Sequence, residues 1–250
     1  MMQHDFFTNR FTVRKYKAGE IAEDELRQML QAASHAPNTG NMQWYSVVTT
    51  RTAEGKKALA GAHFNQPQVE GAAAVLTFCI DLLRFEKWCR ASEAEPGFEN
   101  FQSFIAAIID TSLFAQQFCT IAEMKGYGTC YLGTTTYNAP QIAEALGLPE
   151  RVVPVTTVTV GPPAEIPDKL PVWRLPVEAI THSEQYVAPS DSEIARWYAP
   201  IERQDAHFAI ENDKKTLAQV FTDIRYPRQS AEYFSKIYYD FLVRNRFIQG

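Results

Sequence analysis

Residues 99–125 read as one long helix that is apolar around most of its girth, and no other stretch constrains the fold as much. Phe101, Phe104, Ile108 and Phe118 fall on one side and Ile105, Ile109, Ala115 and Cys119 on another, with Gly126 as the stop. Such a helix needs cover on every side. The core of a single 250-residue domain or a subunit interface can equally supply it. Asp110, Gln116 and Gln117 inside the apolar run 104–121 argue against a membrane span.

The elements around this helix follow from periodicity. Ile21, Leu26, Met29, Leu30 and Ala33 have helical spacing over 20–35, ending before Pro37. Residues 45–50 and 74–80 are strand-like, the second nearly continuous in apolar side chains and therefore central. Residues 128–133 read as a strand entering a Thr-rich turn, 141–146 as a short helix, and 152–160 as a β-branched strand stopped by Gly161-Pro162-Pro163. Five of the fourteen prolines lie in 162–176, which is expected to run extended over the surface. Helical patterns at 190–204 and 229–246, rich in Tyr, Phe and Arg, have too few partners to close a core of their own and read as an arm of the same domain.

Composition removes several classes. A net charge of −5 disfavours a nucleic-acid or anionic-membrane surface, and 46% apolar with 21% charged residues is ordinary for a soluble globular chain. Cys79, Cys89, Cys119 and Cys130 lack metal spacing and read as reduced thiols of a cytoplasmic protein, with no signal peptide at the N-terminus. The five histidines offer no metal-site spacing, and His35 reads as a solvated residue at a helix end. No GxxxxGK[ST] or GxSxG is present, and Gly126-Tyr127-Gly128 with Gly133 occurs in the order helix then strand, the reverse of a dinucleotide fingerprint.

What remains is a constellation near the N-terminus. Arg10-Phe11-Thr12-Val13-Arg14-Lys15-Tyr16 places two guanidinium groups and a hydroxyl where they can hold a phosphate, although two arginines alone are as readily solvated surface residues. The helix that follows ends in Ala36-Pro37-Asn38-Thr39-Gly40-Asn41-Met42-Gln43, a loop of uncharged donors and acceptors. Together they suit a ligand with a phosphate tail and a polar heterocycle, such as flavin mononucleotide (FMN).

These two segments resemble the opening of the FMN-dependent nitroreductase superfamily, and later segments match in order. Asp110-Thr111, Ala115-Gln116-Gln117 and Gly126-Tyr127-Gly128-Thr129-Cys130-Tyr131-Leu132-Gly133 are similar to its long helix and flavin-side strand. Leu148-Pro149 with the strand ending at Gly161-Pro162-Pro163, and Arg174-Leu175-Pro176, resemble elements of the subgroup of NADPH-dependent, oxygen-insensitive nitroreductases and flavin reductase P. The resemblance implies an α+β fold: a mixed, mainly antiparallel sheet between helices, a long central helix at a homodimer interface, and a C-terminal arm. Residues 1–190 would be the FMN-binding part and 191–250 a helical arm embracing the partner subunit. It also implies FMN-binding roles. Arg10, Thr12 and Arg14, with Phe11 beside them and Arg174 from a later loop, would surround the phosphate and ribityl end. Asn38 and Thr39 would meet the ribityl chain or ring edge, Gln66 the pyrimidine edge, and Tyr131, Leu132 and Gly133 the ring.

Three positions depart from the family pattern: Phe11 stands for Arg or His, Val172 for Lys, and Thr134 for a second Gly. The implied activity is ping-pong hydride transfer from NADPH or NADH, through FMN, to nitroaromatics, quinones or free flavin, with no side chain acting as nucleophile or general base. Arg225 and Arg228 are either cations for a nicotinamide 2′-phosphate or solvated helix-flanking charges. The acceptor pocket would be lined by 82–100 and the arm. A specialised flavoenzyme of the same fold (dehalogenase, flavin-fragmenting or ene-type reductase) and a non-catalytic flavin-binding protein are the competing readings.

Overall fold

The computed structural model describes residues 3–167 and 171–249. It divides into a larger unit, residues 12–166 and 234–250, and a smaller one, residues 1–11 and 167–233.

In chain order the elements are α1 (Gln3–Thr8), α2 (Glu23–Ala33), β1 (Tyr45–Thr50), α3 (Ala53–Ala60), α4 (Pro67–Gly71), β2 (Ala74–Asp81), α5 (Leu83–Ala91), α6 (Phe101–Met124), β3 (Gly128–Leu132), α7 (Ala139–Leu146), β4 (Val152–Gly161), α8 (Asp191–Gln204), α9 (Ala206–Glu211), α10 (Leu217–Gln219) and α11 (Arg228–Arg244). Every element that periodicity indicated is present within a few residues of its expected bounds. The short helices α1, α3, α4, α5, α9 and α10 are additional.

In the larger unit the sheet order is β1-β2-β4-β3, and all three pairings are antiparallel. All of β2 and β4 is buried, so both faces of the sheet are covered. Leu76, Phe78, Val158 and Val160 pack with α2 and α6 in one cluster, while Val75, Cys130 and Leu132 pack with Leu59 and Ile142 of α3 and α7 in another. Pro154 sits in the central strand β4 where the register slips between Phe78 and Cys79; the bulge tolerates the missing N–H.

Asn100 caps α6 by accepting from the Ser103 N–H at 2.9 Å. Its other end closes at Gly126, φ 87°, with Gly126 N–H to Glu123 O at 3.0 Å and Tyr127 N–H to Ala122 O at 3.0 Å. That is the Schellman arrangement, which glycine reaches without steric cost. Ala107, Asp110, Phe114, Phe118 and Ala122 form the buried face, whereas Phe101, Ile109, Leu113 and Met124 are exposed. By length and composition α6 is the one helix among the described residues that could cross a membrane, but its buried face belongs to the sheet's core.

Of the Pro-rich run, residues 162–165 pair alongside Lys15 and Lys17; residues 168–170 lie outside the described residues. In the smaller unit α8 starts with a capping box between Ser190 and Glu193, and Ala209, Leu217 and Val220 form a small apolar cluster.

Candidate functional site

The clamp segment is held by β3 and β4. Val13 donates its N–H to Thr129 O at 2.9 Å, and Lys17 donates to Pro162 O at 2.9 Å. Gly128 makes this approach possible, because a Cβ there would lie 2.4 Å from Val13 Cγ2. The Tyr16 hydroxyl bonds Val13 O at 3.0 Å and Thr159 Oγ1 at 2.8 Å, and burial pushes its pKa up, so it stays neutral. These contacts leave the Arg14 side chain exposed, with no ion pair among the described residues, and Thr12 half-buried. The division between units falls after Phe11, so Arg10 and Phe11 belong to the smaller unit, as does Arg174, which donates to Trp173 O at 2.8 Å.

At roughly 3.3 Å per strand residue, Gly133 lies about 13 Å along β3 from Thr129. Tyr131 is 58% exposed although it lies within a strand, Leu132 is buried, and nothing lies within 4 Å of the position a Cβ on Gly133 would take. Gln66 precedes α4, whose Pro67 fits its first turn. The Gln68 side-chain amide donates to Gln66 Oε1 at 3.3 Å and reaches Cys130 Sγ at 4.0 Å, which brings Gln66 and β3 together.

The amide-rich loop is strained and pinned. Gly40, Asn41 and Gln43 all have left-handed φ, of 56°, 57° and 52°, a conformation that costs a long side chain about 1–2 kcal/mol. Thr39 gives both its N–H and its hydroxyl to Asp110 of α6. Gln43 N–H donates to Asn38 Oδ1 at 3.4 Å, and Arg84 of α5 donates to the carbonyls of Gln43 and Tyr45. The Thr39 hydroxyl expected to face a ligand is thus engaged by a carboxylate.

Periodicity and motif spacing did not point to the turn before Gln66. Phe64 and Asn65 are left-handed at φ 56° and 53°, and Phe64 packs edge-on against Tyr137 and Phe234, which stack at 4.6 Å and 10°. His63 is fully buried, its Nδ1 2.8 Å from Thr134 Oγ1, and burial pushes its pKa down to about 4. The signal available in the sequence was Gln66-Pro67, a cap-like pair that fixes where the turn ends. In the smaller unit Arg225 lies over the rings of Phe208 (4.6 Å) and Phe221 (5.0 Å), while Arg228 pairs with Glu232 at 3.6 Å. His35 is exposed at the end of α2, as expected.

An exposed cation and a hydroxyl beside Thr129, a carboxamide linked to the adjacent Cys130, and open space over Gly133 suit a ligand that carries an anionic group and a planar, polar one. The Nitroreductase family model matches residues 7–162. Among relatives, a Cr(VI) reductase of a Pseudomonas species is 28% identical over 90% of this chain and 94% of its own. A Bacillus subtilis FMN reductase (NADPH) is 29% identical over 73% and 74%. A crystal structure of a Bacteroides fragilis protein superposes with a TM-score of 0.95 at 48% identity, covering 98% of this chain and 100% of that one.

Proposed function

This chain belongs to the Nitroreductase family, and from that premise we propose that it is an FMN-dependent oxidoreductase that passes electrons from NADPH or NADH to small acceptors: nitroaromatics, quinones or free flavin. The observation that carries this reading is the seating of the Thr12–Arg14 segment on β3 at Thr129, with Gln66 linked through Gln68 to the neighbouring Cys130 and with Gly133 open just past the end of the strand. The name of the Bacillus subtilis relative, an FMN reductase (NADPH), supports the choice of cofactor.

FMN supplies the two-electron hydride chemistry when bound. Thr12 and Arg14 would hold its phosphate and ribityl end; Arg10, Phe11 and Arg174, to which the family resemblance gives the same role, belong to the smaller unit. Charge-assisted hydrogen bonds of this kind contribute roughly 1.5–3 kcal/mol each. The Gln66 carboxamide would meet the pyrimidine edge, Tyr131, Leu132 and Gly133 would flank the ring, and Asn38 would lie along the ribityl chain or ring edge beside Thr39, whose own N–H and hydroxyl protons go to Asp110. The open space over Gly133 lets nicotinamide and acceptor use one place in turn, the ping-pong order. Arg225, in the smaller unit, is the candidate cation for a nicotinamide 2′-phosphate.

The exposed apolar row of α6, with Phe101 and Met124 about two-thirds exposed, is what a homodimer interface would cover, and residues 191–250 would embrace the partner. Cys79, Cys89, Cys119 and Cys130 are thiols outside any disulfide, which suits a reducing cytoplasm.

The test is a visible spectrum of the purified protein followed by anaerobic mixing with each nicotinamide. A flavin spectrum that bleaches is expected. Protein that neither carries nor takes up FMN would overturn the reading, and bound FMN that stays oxidised would make it a binding protein instead.

A further inference from the structure

Thr134 stands where the family pattern has a second glycine, and the structure gives its hydroxyl a defined orientation. Its oxygen is 2.8 Å from Nδ1 of His63, a side chain with no exposed surface. The other ring nitrogen, Nε2, is buried with no hydrogen-bond partner among the described residues. One nitrogen of a neutral imidazole carries the proton. A buried N–H left without an acceptor is costlier than a buried lone pair left without a donor. The proton therefore belongs on Nδ1, His63 donates to Thr134, and the Thr134 hydroxyl proton must point elsewhere. Burial, which pushes the His63 pKa to about 4, keeps the ring neutral and this direction fixed at ordinary pH.

The frame around this pair is rigid. Asn138 Nδ2 donates to Ala62 O at 2.7 Å, holding the residue before His63. Thr135 Oγ1 donates to Leu132 O at 2.8 Å and lies 3.0 Å from Thr157 Oγ1, whose hydroxyl can donate to it, holding the residue after Thr134. The Thr134 carbonyl accepts from Tyr137 N–H at 3.1 Å. Thr134 is half-buried and next to Gly133, over which the space is open, and its hydroxyl has no acceptor among the described residues.

We propose that Thr134 is a specificity-setting hydrogen-bond donor to the ring system of the bound flavin, and that His63, out of reach of any ligand, is the positioning residue that aims it. This rests on the FMN reading of the site. Two-electron reduction adds electron density to the flavin ring system, so a fixed donor there holds reduced FMN more tightly than oxidised FMN. His63 acts only by filling the threonine oxygen's lone pair.

Thr134→Val removes the donor at nearly constant volume, and Thr134→Ser keeps it. Dissociation constants for oxidised FMN and, anaerobically, for reduced FMN, together with the midpoint potential of the bound flavin, give the readout. Thr134→Val is expected to weaken reduced FMN about tenfold more than oxidised FMN, which lowers the midpoint potential by about 30 mV for a two-electron couple. Thr134→Ser is expected to match the parent. His63→Phe is expected to move the potential the same way as Thr134→Val, and His63→Gln, whose amide can still donate, to restore most of it. If Thr134→Val does not fold, Thr134→Gly carries the same expectation. A parent that binds FMN, with Thr134→Val or Thr134→Gly leaving its potential unchanged, overturns this inference alone. A parent that takes up no FMN overturns the reading of the site as well.

Discussion

Asp110, 1% exposed in the middle of α6, accepts three hydrogen bonds from one residue, Thr39: the backbone N–H lies 2.9 and 3.0 Å from its two oxygens and the hydroxyl 3.0 Å from the first. A carboxylate accepts only, so it is matched to two donors arriving together. The long helix thereby fixes the entrance of the left-handed loop that ends at Gln43.

Asp110→Asn places a donor amide where Thr39 also presents donors. One buried donor then loses its partner, at a cost of about 1–3 kcal/mol. The melting temperature should fall by several degrees and FMN content should fall with it. Differential scanning fluorimetry and the ratio of flavin to protein absorbance check this; a variant matching the parent in both would refute the pinning role.

Arg151 and Glu86, both almost fully buried, form an ion pair through Arg151 Nε and Nη2, with Nε 2.8 Å from Glu86 Oε1. The same guanidinium donates to Arg246 O and lies 5.0 Å over the Phe247 ring, so it also seats the end of the chain. Removing one partner strands a buried charge, typically at about 3–5 kcal/mol. Glu86→Ala and Arg151→Met should each lower the urea midpoint strongly. The double variant Glu86→Leu/Arg151→Met should lie well above the sum of the single effects.

Gly128→Ala would put a methyl group 2.4–2.8 Å from three atoms of Val13. Overpacking of this kind costs about 1–3 kcal/mol, and the segment carrying Thr12 and Arg14 is the part free to yield. FMN affinity should fall more than tenfold. Adding Val13→Ala should restore part of it, and a double variant as weak as the product of the single effects would exclude steric transmission.

Burial lowers the His63 pKa from 6.5 to about 4, so between those values the unfolded chain binds the proton that the native chain refuses. Stability from the neutral ring is complete above about pH 6.5 and is lost as pH falls towards 4, by up to about 3 kcal/mol. Urea unfolding at pH 7, 6, 5 and 4 should show His63→Gln losing less stability over that range than the parent. Parallel curves would argue that His63 is solvated.

The elements were legible because their causes are local. β-Branched residues marked β1, the apolar run marked β2, and the all-round apolar helical pattern with Gly126 as its stop marked α6. The clamp motif and the Gly126–Gly133 segment likewise showed in residue order alone. The short helices α3 and α5 were not legible, because each has little more than two turns and one buried edge to betray it. Nor did order reveal that Arg10 and Arg14, four residues apart, belong to different compact units.

The chain's sequence by itself determined which donors exist: arginines and a hydroxyl near the start, amides after α2, a threonine in place of glycine at 134. Only the tertiary structure decided which of them are available. Thr39 is engaged by Asp110 across 71 positions, and Thr134 is aimed by His63 across another 71. Hydrogen bonds saturate, so a group's use depends on the partner that folding sets beside it, and partners this distant in sequence leave no periodic trace between them.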